Sequence, residues 1–283
     1  MIWEAPAKVN LTLEVRARDR EGMHPLRSLI QAIEWCDLLD VEEGDEDRLR
    51  IDGADLPDGG ENLVWKAITA LRSELGKSGP SLDISLRKSI PVAAGLGGGS
   101  SDAAAALLAL AELRGAPRSV VEEVAPTVGA DVPFFLVGGT AWMEGHGEQI
   151  SEARIETDSW ALAIATPDFE LRTEDVYRAW DRLEEPLGPS IDGRSLPPAL
   201  RQHGPFRNDL TPAAISSIPE LGDWIEELAK RWERPVAMSG SGPSLFAFFA
   251  DLDEAEGAVR SLPVSVRSQH AARPRRNGVT RIS

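Results

Sequence analysis

The chain has 283 residues, 42% of them hydrophobic and 27% charged, which is ample material for a core and, at roughly 150 residues per domain, implies two domains. A net charge of −16 argues against nucleic acid as a partner, because affinity for a phosphate backbone comes from clustered Lys and Arg; an anion must be held at a local site. There is no run of about 18 apolar residues and no charged-then-apolar start, and Cys36 has no second cysteine to pair with, so a cytoplasmic protein without membrane or export segments is expected.

Residues 8–15 alternate strictly, with Val9, Leu11, Leu13 and Val15 on one face and Lys8, Asn10, Thr12 and Glu14 on the other. This predicts a first strand whose polar face meets solvent at Thr12 and Glu14. Lysine is scarce in the chain, so Lys8 on that face stands out. Residues 16–25 read as a connecting loop and residues 26–35 and 38–42 as strand. Residues 47–51 pair with the latter in a predicted hairpin across the acidic turn 43–46. Asn62 is placed to cap a helix carrying Val64, Ile68, Leu71 and Leu75 at helical spacing, and Leu82, Ile84 and Leu86 alternate as the next strand.

That strand leads into Pro91, Val92, Ala93, Ala94, Gly95, Leu96, Gly97, Gly98, Gly99, Ser100 and Ser101, with four glycines in five positions, and then into an alanine- and leucine-rich run. Glycine lets the backbone take positive φ and approach a ligand closely. Ser100, Ser101 and Asp102 are of the types that cap helices, and the run behind them predicts a buried helix. Free N–H groups and the positive end of a helix dipole make such a junction an anion site, most often for phosphate. It is not a Walker A loop, because no lysine follows the last glycine. Nor is it a dinucleotide fingerprint, because Ser100 stands where the third glycine belongs.

Further on, residues 120–128 predict a short helix, followed by a turn containing Asp131 and an apolar run at 134–137. Glycine-punctuated strand material ends near residue 150, where a division into domains 1–150 and 151–283 is expected. The second half predicts a strand at 160–165, a helix from Thr173 as N-cap to about residue 183, and a proline-rich stretch at 184–206 that is either an ordered excursion or a mobile loop. A helix opened by Pro219 follows, then strands at 235–238 and 244–250 around the turn 239–243, a helix at 253–262 and a strand at 264–267. That order fits a split βαβ layer.

Lys8, the glycine loop and Asp131 are the residue types phosphoryl transfer needs: positive charge near the reacting oxygens, a phosphate cradle and a base for the attacking hydroxyl. The stretches 5–11, 91–102 and 238–244 resemble, in order and spacing, the three motifs of the GHMP kinase superfamily. The Gly-Gly-Gly-Ser-Ser run, residues 129–135, Gly145 with Gly147 and Glu148, Asn208 with Asp209 and Leu210, and Gly22 with Met23 and His24 narrow the likeness to its diphosphocytidyl-methylerythritol kinases.

The resemblance implies an α+β chain with an N-terminal ribosomal-protein-S5-like domain, a C-terminal ferredoxin-like domain and the active site in the cleft between them. It implies ATP with Mg²⁺ on the loop of Pro91 to Ser101, without assigning a metal ligand. The acceptor would be a small cytidine-diphosphate-linked polyol of the non-mevalonate isoprenoid route, phosphorylated on its 2-hydroxyl by a monomer or weak homodimer. Asp131 would be the base and Lys8 its partner, with Asn10, His24, Tyr177, Gly240 and Ser241 touching the acceptor. Met23 departs from the tyrosine usual before the histidine and removes one wall of the base pocket. That leaves open a GHMP-type kinase acting on mevalonate, homoserine or a sugar. An inactive nucleotide-binding module is a third reading, against which Lys8, Asp131 and the intact loop argue together.

Overall fold

The computed structural model describes residues 1–76, 80–262 and 266–283. Its first layer is built in chain order from β1 (Ile2–Asn10), β2 (Glu14–Val15), β3 (Leu26–Gly44), β4 (Arg48–Asp52), α1 (Leu63–Glu74), β5 (Ser81–Arg87), α2 (Gly98–Arg114), α3 (Arg118–Val128), α4 (Val132–Val137), β6 (Thr140–Gly145) and β7 (Gln149–Glu152). The second comprises β8 (Ala161–Thr166), α5 (Thr173–Arg182), α6 (Thr211–Ser217), α7 (Glu220–Trp232), β9 (Ala237–Met238), β10 (Leu245–Phe249), α8 (Leu252–Arg260) and β11 (Ser268–Ala272). A last strand, β12 (Thr280–Arg281), returns to pair with β1, and residue 150 falls inside β7.

The 19-residue β3 is the spine of the first sheet. It pairs with β1 on one side and, on the other, with β6 along its first half and β5 along its second. The path β12–β1–β3–β5–β4 overturns the predicted hairpin, since β4 runs parallel to β5 and does not touch β3 in the sheet. Burial explains the exchange. Leu82, Ile84 and Leu86 of β5 are buried, so that strand takes the interior, while Arg48, Arg50 and Asp52 of β4 stay exposed and suit an edge. Helix α1 supplies the crossover that a parallel pair requires, and Asn62 caps it as expected, its Oδ1 accepting from Val64 N at 2.9 Å.

Helix α2 packs its alanines and leucines into the core of this layer. No side chain caps it. Gly97, at φ +72°, takes the N-cap position, and Ser100, Ser101 and Asp102 lie inside the helix instead of before it. The first N–H groups of the helix are therefore not consumed by a cap and face the loop.

Among the described residues the second sheet has the order β11–β8–β10–β9, antiparallel throughout, which is the predicted split βαβ arrangement. The strand predicted at 264–267 begins outside the described residues, and β11 follows it. Thr173 is the first residue of α5 rather than its cap, a position held by Arg172. Helix α6 was not predicted at all.

A third apolar cluster joins the layers. Val9, Leu11 and Leu29 meet Leu162, Ile164, Phe246 and Phe248, and Leu196, Leu200 and Phe206 from the proline-rich stretch fill the space between them. That stretch is thus an ordered excursion whose apolar residues fix one layer against the other. Thr12, expected to be wet, is buried in the same region: its Oγ1 accepts from Leu29 N at 3.0 Å and its carbonyl from Ser28 Oγ at 2.5 Å.

Candidate active site

The register between β1 and β3 shifts between Pro6 and Ala7. Across the shift the apolar side chains of β1 change neighbours, with Trp3 and Ala5 in the helix-side core and Ala7 and Val9 in the cluster between layers. Lys8 and Asn10 are thereby aimed at the glycine loop. Such irregularities re-aim side chains beside active sites in many sheets.

Lys8 Nζ donates to Asn10 Oδ1 at 2.6 Å and to Gly95 O at 2.9 Å, and lies 3.7 Å from Asp131 Oδ2. Its side chain is 5% exposed, whereas that of Asp131, at the start of α4, is 29% exposed. Burial holds the ammonium below the usual lysine value, and Asp131 only partly offsets that. Asn10 is itself fixed, donating from Nδ2 to Ser28 Oγ at 2.8 Å and from its backbone to Ser239 Oγ at 3.1 Å.

The glycines have steric reasons. A Cβ on Gly95, at φ +75°, would lie 2.3 Å from Ser239 O, and one on Gly97 would lie 2.8 Å from Phe135 Cζ. The loop is thus clamped between the tail turn of the second layer and α4, with Ser239 Oγ donating to Gly95 O at 2.9 Å. The turn carrying Gly240 and Ser241 is held in place by Asn208, whose Nδ2 donates to Met238 O at 2.8 Å and to Gly240 O at 2.7 Å. Asn208 had a place in a motif but no role until the fold brought it to that turn.

Two cavities meet over this loop. One, of about 490 Å³, is lined by Pro57, Asn62, Leu63 and the run from Pro91 to Ser100 apart from Leu96. The other, of about 430 Å³, is lined by Lys8, Asn10, Asp131, Tyr177, Gly240 and Ser241 among others. Ala93, Gly95, Gly97 and Thr173 line both. Each is in the size range of small-molecule sites, which runs from about 300 to 1,000 Å³. Thr173 Oγ1 is 2.8 Å from Ser241 Oγ, a contact across the cleft mouth that its predicted capping role gave no sign of.

Tyr177 is brought to the second cavity, and its hydroxyl is pushed up to about 12 by burial and by the charge of Asp131. His24 is not among the side chains lining that cavity. It stacks on Tyr177 with ring centroids 5.2 Å apart and meets Trp180 edge-on at 5.3 Å. Its Nδ1 is 3.0 Å from Arg16 O and its Nε2 3.1 Å from Asp181 Oδ1. Met23 points outward and is 53% exposed.

Beneath the loop lies a second charged group that sequence reasoning missed. Lys88 Nζ pairs with Asp37 Oδ2 and, at 2.6 Å, with Asp102 Oδ2, all three side chains being buried. Burial alone would lower Lys88; Asp102 and Asp37 reverse the sign and raise it. Burial likewise pushes the Asp102 carboxyl up to about 7.

Residues 62–139 match the GHMP kinases N terminal domain and residues 189–265 the GHMP kinases C terminal domain, so both parts of the expected architecture are present. The chain is 40% identical over 263 residues to 4-diphosphocytidyl-2-C-methyl-D-erythritol kinase of Geobacter metallireducens, a match covering 92% of each. A crystal structure of 4-(cytidine 5'-diphospho)-2C-methyl-D-erythritol kinase superposes with a TM-score of 0.80 at 36% identity, over 96% of this chain and 98% of that one. Homoserine kinase from Cytophaga hutchinsonii has the same fold, with a TM-score of 0.72 at 19% identity over 99% of this chain and 96% of that one.

Proposed function

The chain belongs to the 4-diphosphocytidyl-2-C-methyl-D-erythritol kinase family, and we propose that it transfers the γ-phosphoryl group of ATP to the 2-hydroxyl of 4-diphosphocytidyl-2-C-methyl-D-erythritol, on the route to isoprenoid precursors. The observation that carries this reading is the Lys8–Asp131 pair, 3.7 Å apart, beside the glycines where the two cavities meet.

In this reading ATP lies along the glycine loop, its phosphates on the first-turn amides of α2 and its base toward Pro57 and Leu63. The acceptor fills the second cavity with its base against Tyr177. Asp131 takes the proton from the acceptor hydroxyl as that oxygen bonds to the γ-phosphorus. The bond to the β–γ bridging oxygen breaks, and ADP leaves with the electron pair. Lys8 keeps Asp131 ionised and neutralises charge on the reacting oxygens, and Asn10 orients Lys8. Gly240 and Ser241 bring backbone from the second layer onto the acceptor.

Among the described residues no three His, Cys, Asp or Glu side chains cluster as metal ligands. In this reading Mg²⁺ would arrive on the nucleotide phosphates and keep much of its own water, the usual mode for this ion in kinases. When bound it neutralises charge on the phosphates.

Met23 supports a second reading. With this residue 53% exposed and not itself aromatic, a base would lack one wall of its sandwich, and the acceptor would be an alcohol without a base, within the same superfamily chemistry. A coupled assay of ADP release with the cytidyl substrate, mevalonate, homoserine and galactose separates the two. Turnover with the cytidyl substrate well above the others supports the first reading, and preference for any other acceptor overturns it.

A further inference from the structure

The Lys88 group occupies the point where the chain leaves the sheet to form the glycine loop. The last pair between β3 and β5 is Leu38 with Arg87, so Asp37 stands opposite the first residue beyond the sheet. There its carboxylate replaces the missing strand partner: Oδ1 accepts from Ser89 N at 2.5 Å and from Ile90 N at 2.9 Å. Oδ2 pairs with Lys88, which reaches on to Asp102 just beyond the first turn of α2. A Cβ on Gly98 would lie 3.3 Å from Asp37 Oδ2, so this carboxylate is packed directly against the start of the helix.

One buried carboxylate thus fastens both ends of the loop to the spine of the sheet. A packing role alone does not call for charge here, because replacing a buried ion group by apolar side chains is often neutral or stabilising. This group also leaves Asp102 Oδ1 buried without a hydrogen-bond partner. What ions provide and methyl groups do not is directional fixing of backbone N–H groups on a segment otherwise rich in glycine and entropically soft.

We propose that Asp37 is a positioning residue for the nucleotide: through Ser89, Ile90, Lys88 and Asp102 it sets the separation between the entry of the glycine loop and the first-turn amides of α2, so the phosphate cradle is formed before the nucleotide arrives. The inference rests on the reading of that loop as the ATP site. Preorganisation of this kind strengthens binding by removing the ordering cost from the binding step.

The test is Asp37→Asn, which keeps the shape and one acceptor but breaks the ionic tie. Affinity for a non-hydrolysable ATP analogue is measured by calorimetry, KM for ATP and for the acceptor by steady-state assay, and fold by thermal unfolding without ligand. The expected result is a loss of about tenfold in analogue affinity with a matching rise in KM for ATP, the KM for the acceptor staying at its wild-type value. A merely structural role would lower the unfolding temperature and the active fraction without moving either KM. If Asp37→Asn does not fold, Asp37→Glu, which keeps the charge but displaces the carboxylate, reads the same split between the two KM values. Wild-type analogue affinity in a folded variant overturns the inference and leaves the ATP reading standing. A wild-type chain that does not bind the analogue overturns both.

Discussion

Two lysines are buried on either side of the glycine loop, and their surroundings are opposite. Lys88 is held by two carboxylates at hydrogen-bond distance. Lys8 has one carboxylate 3.7 Å away, and its two close partners, Asn10 Oδ1 and Gly95 O, are neutral. Burial lowers both, yet the carboxylates carry Lys88 above its ordinary value while Lys8 stays below. An ammonium saturated by fixed carboxylates holds structure. One that is left short of negative charge at the edge of a cavity is ready for a charge that arrives with a ligand.

The largest expected effect tests the catalytic side of that contrast. Asp131→Asn is expected to lower turnover by about 10² to 10⁴ while affinity for an ATP analogue holds, measured by steady-state kinetics and calorimetry. Turnover near the wild-type level would remove Asp131 from the chemistry and leave Lys8 without a catalytic partner.

Stability measurements sharpen the contrast next. Lys88→Met leaves two buried carboxylates facing each other and is expected to cost about 3 to 5 kcal/mol in urea unfolding. Lys8→Met leaves Asp131, which is 29% exposed, in contact with water, and is expected to abolish turnover at little cost in stability. Equal losses of stability would erase the distinction.

A smaller effect concerns the wall of the second cavity. Tyr177→Ala is expected to raise KM for a base-bearing acceptor by about tenfold, within the roughly 1 to 3 kcal/mol of a base–aromatic stack, and to leave KM for ATP unchanged. Unchanged kinetics with the cytidyl substrate would make Tyr177 ordinary packing beneath His24.

The smallest effect is a slope with pH. Burial raises the Asp102 carboxyl from the ordinary 3.8 to about 7 in the folded chain. The folded chain therefore binds the extra proton between these values, and the stability it contributes is lost as pH rises through about 7. Asp102→Asn lacks this loss, so its melting temperature relative to wild type should climb from pH 4 to pH 7 and level off above. A difference that is flat with pH would mean that Asp102 stays ionised against Lys88 throughout.

Much of this was written locally. The alternation of Leu82, Ile84 and Leu86, the capping Asn62, and the step from clustered glycines into alanines each depend on a few neighbouring residues, and each element formed where that chemistry put it. Lys8 is legible from its strand face and the scarcity of lysine, Asp131 and Tyr177 from their likeness to a family, and the fold sets all three around one cavity.

What the sequence could not fix is what depends on residues far apart in the chain. Local alternation cannot tell which of two strands takes an edge, so β5 went between β3 and β4 on the strength of burial contributed by α1 and α2. Thr12 was read as wet because alternation names two faces but not what covers them, and the register shift between β1 and β3 that aims Lys8 exists only in the pair. Asp37 lies 51 residues from Lys88, which lies 14 from Asp102, and each alone is an ordinary charged residue. Only when the sheet and helix close around them, shutting out water, does the field of each become strong enough to set the charge and position of the others.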